Sequence, residues 1–307
     1  MKRVHVKSYA KINLSLDVLR RLENGYHEVE MVMQQILLND EIDVKWKEGG
    51  ESFSIELRTN RAYLPTDERN LAYKAAQLMH GAYGEDRKGL LRIDIKKRIP
   101  VAAGLAGGSG NGAAVLHAVN YLWGLGLDVA ALNEVGSKLG SDVPFCIMGQ
   151  AAMNKELGLT GDPLAAHCAV ATGTGTELRP VKGLAAHLVL SKPSIGVSTA
   201  DVYQGLDLPA IKEHPDTEEM LAALADGKTA QVYKNMINIL ESFTLQRYPV
   251  VIQTKERMQD MLGTDRVLMS GSGPTVFGIC DTKEQAQQIC EEMLMHNKET
   301  FWTRTTF

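Results

Sequence analysis

Residues 100–114 read PVAAGLAGGSGNGAA, with five glycines and one hydroxyl, that of Ser109. Side chains this small build no core, so the stretch offers main chain: glycine tolerates left-handed dihedrals and lets other groups approach the backbone. An apolar helical repeat follows, with Val115, Leu116, Val119, Leu122 and Trp123 on one face. A glycine-rich loop therefore runs into a helix whose first amides and positive dipole end form a site for anions, above all phosphate. The stretch lacks the Lys-Ser/Thr ending of a P-loop, and Arg98, Ile99 and Pro100 precede it where a G-x-G-x-x-G turn would have its strand. Taken alone it also admits a plain glycine-rich turn between strand and helix.

Upstream, Ile12, Leu14, Leu16 and Val18 alternate with Lys11, Asn13, Ser15 and Asp17, which predicts a half-buried strand with its polar members on one wet face. Lys11 and Asn13 then point the same way. Asn24-Gly25 is a strong turn pair, and Tyr26 and His27 directly after it are either loop anchors or a stacking and hydrogen-bonding pair for a planar base. The apolar run 31–38, ended at Asn39-Asp40, and the alternating segments at 42–46, 53–57 and 91–95 predict an antiparallel meander. Asn70 is placed to cap a helix that ends at Gly81.

Downstream, Asp128 caps a helix carrying Leu132, Val135 and Leu139, residues 140–142 end it, and the apolar run 143–148 predicts a strand. Asp142 thus falls at the negative end of a helix dipole, at a cost of some tenths of a kcal/mol. Either a local turn bond holds it there or a cation, lysine or magnesium, lies opposite; Lys11 is a candidate. The second half predicts a short strand at 188–190, a capping box at Ser198 and Asp201, helices at 218–225, 230–240 and 250–262, strands at 267–269 and 276–280 around the turn 270–274, and a final helix at 284–295.

Composition narrows the partners. The chain has 307 residues, enough for two domains, and at 44% hydrophobic and 23% charged it is ordinary globular material. A net charge of −4 gives no general attraction to nucleic acid or acidic lipid, so a phosphate ligand needs a local pocket. Cys146, Cys168, Cys280 and Cys290 show no C-x-x-C spacing, which predicts reduced thiols and a cytoplasmic protein. No histidine spacing suggests a transition metal, and no stretch is long enough to span a bilayer.

Four stretches in order, SYAKINLSLDVLRRLENGYHEVEMVMQ, PVAAGLAGGSGNGAAVL, KLGSDVPFCIMG and LMSGSGPTVFG, resemble the GHMP kinase family over nearly the whole chain. A-K-I-N-L together with N-G-Y-H is most similar to the members that act on a cytidyl diphosphate. The resemblance implies a two-domain α+β kinase fold: residues 1–170 an N-terminal domain with a mixed or antiparallel sheet, helices and the ATP loop, and residues 171–307 a ferredoxin-like α/β C-terminal domain. ATP and substrate would meet in the cleft between the domains. The implied activity is ATP-dependent phosphorylation of the 2-hydroxyl of 4-diphosphocytidyl-2-C-methyl-D-erythritol in non-mevalonate isoprenoid precursor synthesis. Two alternatives stay open: another small-molecule kinase of the family, acting on homoserine, mevalonate or a sugar, and a nucleotide-binding regulator without turnover.

By the same resemblance, Pro100, Val101, Ala102, Ala103, Gly104, Leu105, Ala106, Gly107, Gly108, Ser109 and Gly110 would wrap the ATP phosphates, with Lys97 nearby and Asn70 at the purine end. Asp142 would be the catalytic base and Lys11 its partner. Asn13, Tyr26, His27, Ser270, Gly271, Ser272 and Gly273 would hold the substrate, and Ser109 would meet Mg2+. The loop departs from the family's usual G-L-G-G-G-S-S-[DN]-A-A at Ala106, Gly110 and Gly112, and loss of the second serine leaves Ser109 as its one hydroxyl. Residues 150–167 read as an insertion, either a surface excursion with one helical turn and no catalytic duty or a cover over the mouth of the active site.

Overall fold

The computed structural model describes residues 1–307. The fold is α+β, and the chain divides into two compact units: Met1–Ala10, Leu38–Ile99 and Ala106–Ala166 form the first, and Lys11–Leu37, Pro100–Leu105 and His167–Phe307 the second. Two long strands, β1 (Lys2–Arg21) and β2 (His27–Glu48), pair with each other, and each contributes residues to both units.

In the first unit the end of β2 pairs antiparallel with β4 (Gly89–Lys96), and β4 pairs parallel with β3 (Phe53–Thr59). The predicted antiparallel meander is corrected here. Parallel neighbours need a crossover, and α1 (Leu71–Tyr83) supplies it, capped by Asn70, whose Oδ1 accepts from Ala72 N. Asn39 and Asp40 do not end a strand either: β2 runs through them for 22 residues.

Helix α2 (Gly107–Trp123) packs against α1 and against α4 (Val143–Met153), with α3 (Val129–Gly136) between them in sequence and capped by Asp128. The helix begins inside the glycine-rich stretch rather than after it. Gly107, Gly110 and Gly112 are buried, and a Cβ at Gly107 would stand 2.9 Å from Ile99 Cγ2 and one at Gly110 2.6 Å from Ser8 Oγ. Part of the glycine content therefore serves close helix packing. The predicted strand at 143–148 is α4, buried on all sides; an unbroken apolar run carries no period by which a buried helix and a buried strand could be told apart.

The insertion is corrected at its start. Gln150 is buried and its Nε2 donates to Gly110 O at 2.8 Å, while Asn154 holds the main chain of Lys7 through both amide groups. Only the segment beyond Asn154 is an excursion, with one 3-10 turn at Lys155–Leu157.

In the second unit the start of β2 pairs with β5 (Cys168–Thr172), which pairs with β6 (Glu177–Pro180). A separate antiparallel sheet has the order β10, β7, β9, β8, built from β7 (His187–Lys192), β8 (Val267–Met269), β9 (Val276–Cys280) and β10 (Glu299–Arg304). Helices α5 (Thr199–Gln204), α6 (Thr217–Asp226), α7 (Thr229–Lys234), α8 (Glu241–Arg247), α9 (Pro249–Leu262) and α10 (Lys283–Leu294) complete it, with α9 and α10 packed on the sheet. The helix predicted over 230–240 stops at Lys234, and a bend containing Asn238 takes its last turn. No helix is long and apolar enough to cross a membrane, and the four cysteines are buried and form no disulfide.

His117 makes the first unit acid-sensitive. It lies fully buried in α2 with Nε2 donating to Ile147 O at 3.0 Å and Nδ1 unpartnered, and burial pulls its pKa down to about 4. A folded pKa below the unfolded one means stability present above pH 6.5 and lost as pH falls toward 4. We expect urea unfolding to show about 2 kcal/mol less stability at pH 5 than at pH 7 from this group, a difference that His117→Gln removes.

Candidate active site

The second unit gathers one set of predicted residues. The alternation around Lys11 and Asn13 predicts a wet strand face, yet Lys11 is 4% exposed and Asn13, Ser15 and Asp17 are buried with it. Burying four polar residues in one strand demands partners. Lys11 Nζ donates to Asn13 Oδ1 at 2.7 Å, Asn13 Nδ2 meets Met31 Sδ at 3.2 Å, and His214 Nδ1 donates to Asp17 Oδ1 at 2.8 Å. The backbone of Lys11 donates to Leu105 O at 3.3 Å, which ties β1 to the glycine-rich loop.

That loop in turn is bound to residues 270–273. Ser270 Oγ donates to Gly104 O at 2.9 Å, and a Cβ at Gly271 would lie 3.2 Å from Gly104 O and 3.5 Å from Lys11 Nζ. Asn238, which no sequence motif marks, braces the turn from below. Its Nδ2 donates to both Met269 O and Gly271 O at 2.8 Å, while its neighbours Ile237 and Ile239 exchange main-chain bonds with Leu16 of β1. Ser272 Oγ bonds Thr199 Oγ1 at 2.9 Å. So Lys11, Asn13, Gly104, Leu105 and the 270–273 turn converge within one unit.

The Asn24-Gly25 turn forms as predicted, with Tyr26 N donating to Asn24 Oδ1 and Leu22 N to Tyr26 O. It leaves the Tyr26 ring 63% exposed and sets the His27 ring 5.2 Å from that of Tyr203. Burial, then the charge of Arg21, lowers the His27 pKa, which favours the neutral ring that can both donate and accept.

The first unit holds the helix side of the loop. Ala106, at the N-cap of α2, takes φ 55°, and no side chain caps this end of the helix. Ala102 is also left-handed, with φ 50°. Uncapped amides at the start of a helix are the kind of group that can receive an anion. Ser109, in the first turn, is half-buried. A Cβ at Gly110 would stand 2.6 Å from Ser8 Oγ, so Ser8 occupies the space a side chain at 110 would need.

Lys97 is buried with Nζ 2.5 Å from Asp40 Oδ2. It lies against the helix start, since a Cβ at Gly107 would be 2.7 Å from its Nζ. Burial pulls the ammonium below its usual pKa, and the carboxylate opposes that shift. Both amide groups of Asn70 are used locally, in the α1 cap and in a bond to Pro65 O.

Asp142 takes the N-cap position of α4, half-buried, with no side-chain cap bond. The expectation of an unfavourable dipole is therefore corrected: the positive start of the 11-residue α4 favours the carboxylate there. Asp40 and Asn238 escaped the sequence reading. Asp40 figures in the sequence only as the expected end of a strand, which hides its place inside β2.

Family models for the GHMP kinases N terminal domain and the GHMP kinases C terminal match residues 70–150 and 207–297. A 4-diphosphocytidyl-2-C-methyl-D-erythritol kinase of Alkaliphilus oremlandii is 42% identical over 99% of this chain and 97% of its own length. A kinase of the same name from Shouchella clausii is 44% identical over 92% of this chain and 88% of its own. A crystal structure of 4-(cytidine 5'-diphospho)-2C-methyl-D-erythritol kinase superposes with a TM-score of 0.78 at 29% identity, covering 99% of this chain and 100% of that one. A homoserine kinase from Cytophaga hutchinsonii shares the fold, with a TM-score of 0.70 at 18% identity over 100% of this chain and 95% of its own. With both family models placed in order and relatives this similar along nearly the full length, the chain belongs to the GHMP kinase family.

Proposed function

We propose that this chain is an ATP-dependent kinase that phosphorylates the 2-hydroxyl of 4-diphosphocytidyl-2-C-methyl-D-erythritol, a step of non-mevalonate isoprenoid precursor synthesis. The observation that carries the reading is the joining of Lys11 and Asn13 to the glycine-rich loop and the 270–273 turn, in a chain whose full-length relatives bear that activity in their names. Phosphoryl transfer asks a protein chiefly to position the reactants and to neutralise charge on the moving phosphate.

In this reading the loop from Pro100 to Gly110 wraps the ATP phosphates and its N–H groups after Pro100 donate to them, Lys97 fixes the loop's root beside them, and Asn70 shapes the purine end through the α1 cap. Asp142 takes the hydroxyl proton as the oxygen attacks the γ-phosphorus of ATP, the bond from that phosphorus to the β,γ-bridging oxygen breaks and ADP leaves, and Lys11 stabilises the developing alkoxide. Tyr26 stacks on the cytosine and His27 hydrogen-bonds it, while Asn13, Ser270, Gly271, Ser272 and Gly273 fix the rest of the substrate. A magnesium ion fits as a companion of the nucleotide. Ser109 would offer it a hydroxyl beside the nucleotide's phosphates, and the ion would neutralise charge on the phosphates. We assign residues 1–170 to the N-terminal kinase domain and 171–307 to the C-terminal one.

The test is an ADP-release assay with the cytidyl substrate, homoserine, mevalonate and galactose side by side. We expect turnover with the cytidyl substrate to exceed the others by about 10⁴-fold or more in kcat/KM, the scale on which a site built to hydrogen-bond one substrate rejects another. Comparable rates on another acceptor, or none on any, would replace this reading with a sister kinase or a nucleotide-binding regulator.

A further inference from the structure

Asp40 is fully buried in β2, and its two oxygens accept four hydrogen bonds. Oδ1 takes the main-chain N–H groups of Arg98 and Ile99, at 2.7 and 2.8 Å. Oδ2 takes Lys97 Nζ at 2.5 Å and Asn111 Nδ2 at 2.8 Å. Arg98 and Ile99 lead directly into the glycine-rich loop, and Asn111 lies in the second turn of the helix that leaves it. One carboxylate therefore holds the chain on both sides of residues 100–106. Asn60 reinforces the entry side, accepting from Lys97 N at 2.8 Å and donating to Lys97 O at 3.3 Å.

A core ion pair alone does not account for this pattern. Pairing Lys97 would need one acceptor, and a buried charge is costly enough that apolar residues of equal volume often replace such pairs without loss. Here the other acceptor directions go to two backbone amides and to a helix side chain, the groups whose separation defines the span of the loop. Within that span Ala102 and Ala106 hold left-handed dihedrals, a geometry that persists only where the surroundings over-determine it.

We propose that Asp40 is a positioning residue for nucleotide binding: it fixes the distance between loop entry and helix start and so aligns the amides that receive the phosphates. The proposal rests on the ATP-loop reading above. It makes two separable statements. Geometry matters more than charge, and the acceptor substrate is unaffected.

The experiment measures ADP affinity by calorimetry, KM for ATP and KM for the cytidyl substrate, with thermal melts as the check on folding. The proteins are wild type, Asp40→Glu and Asn111→Ala. Asp40→Glu keeps the charge for Lys97 and lengthens the arm, and Asn111→Ala cuts the helix tether, together with a longer bond to Ser8 Oγ at 3.3 Å, should the Asp40 variant fail to fold. We expect the ADP Kd and the ATP KM of each folded variant to rise about 10-fold, in line with the cost of a sub-ångström to ångström misplacement, with the cytidyl-substrate KM within about 2-fold. Wild-type ADP affinity retained in folded Asn111→Ala would overturn the proposal alone. A wild-type protein that binds no ADP would overturn the ATP-loop reading and this proposal together.

Discussion

We expect replacement of Asp142 by asparagine to lower kcat by about 10²- to 10⁴-fold, the contribution of a well-placed general base, which is the role proposed for it. The expectation can be separated from a folding defect because of where the residue sits. Asp142 is half-buried at the N-cap of α4 and its side chain makes no capping bond. Asparagine is as good an N-cap residue as aspartate, so at the helix start the exchange costs the attraction between charge and dipole, about 0.3–1 kcal/mol. Thermal melts of both proteins separate any loss of stability from the loss of chemistry. The amide has nearly the shape of the carboxylate but cannot take the proton that must leave the attacking hydroxyl. KM values for ATP and for the cytidyl substrate stay near wild type, because what is lost acts in the transition state. Stopped-flow or coupled ADP release on matched, folded samples measures this, and equal kcat in both proteins would remove Asp142 from the chemistry.

Much of the frame was legible in the chain, and the exceptions share physical causes. The period of Val115 to Trp123 announced α2, and Asn70, Asp128 and Ser198 marked helix starts that the structure keeps, because capping is a local contest settled within a few residues. The run from Val143 to Met148 misled because α4 is buried all round, and Pro144 at its first turn was the available clue. The alternation of Lys11 to Asp17 located the strand but not its environment, since burial of a polar face is decided by distant segments such as 237–239. The helix at 71–81 already implied a parallel pair, yet the alternation on either side of it has the look of a hairpin series. In the candidate site, the loop, the Asn-Gly turn and the 270–273 turn declare themselves by composition. Asp40 and Asn238 do not, because a bracing residue is defined by what the fold brings to it.

Gly104→Ala should damage both stability and turnover. Gly104 has φ +73°, and a Cβ built on it would lie 2.0 Å from the Ser270 carbonyl oxygen, 3.1 Å from the Ser270 carbonyl carbon and 3.2 Å from Gly273 N. These are main-chain atoms of a turn already held by Ser270 Oγ, Asn238 and the Gly273 to Ser270 bond, so no side chain can rotate out of the way. The left-handed penalty for alanine is about 1–2 kcal/mol. Forced displacement in a packed region adds about 1–3 kcal/mol more. Gly126→Ala is the control, for Gly126 has φ +69° with nothing within 4 Å of its Cβ position. It carries the dihedral cost alone and should leave kinetics intact. The difference between the two variants then reports the steric contact, and we expect it to appear twice. Urea unfolding should show a further loss of about 1–3 kcal/mol in Gly104→Ala. Its kcat/KM should fall about 100-fold, since shifting the loop from the 270–273 turn misplaces the groups proposed to position phosphate and acceptor. Matching behaviour of the two variants in both measurements would mean that the contact between Gly104 and Ser270 is incidental to the site.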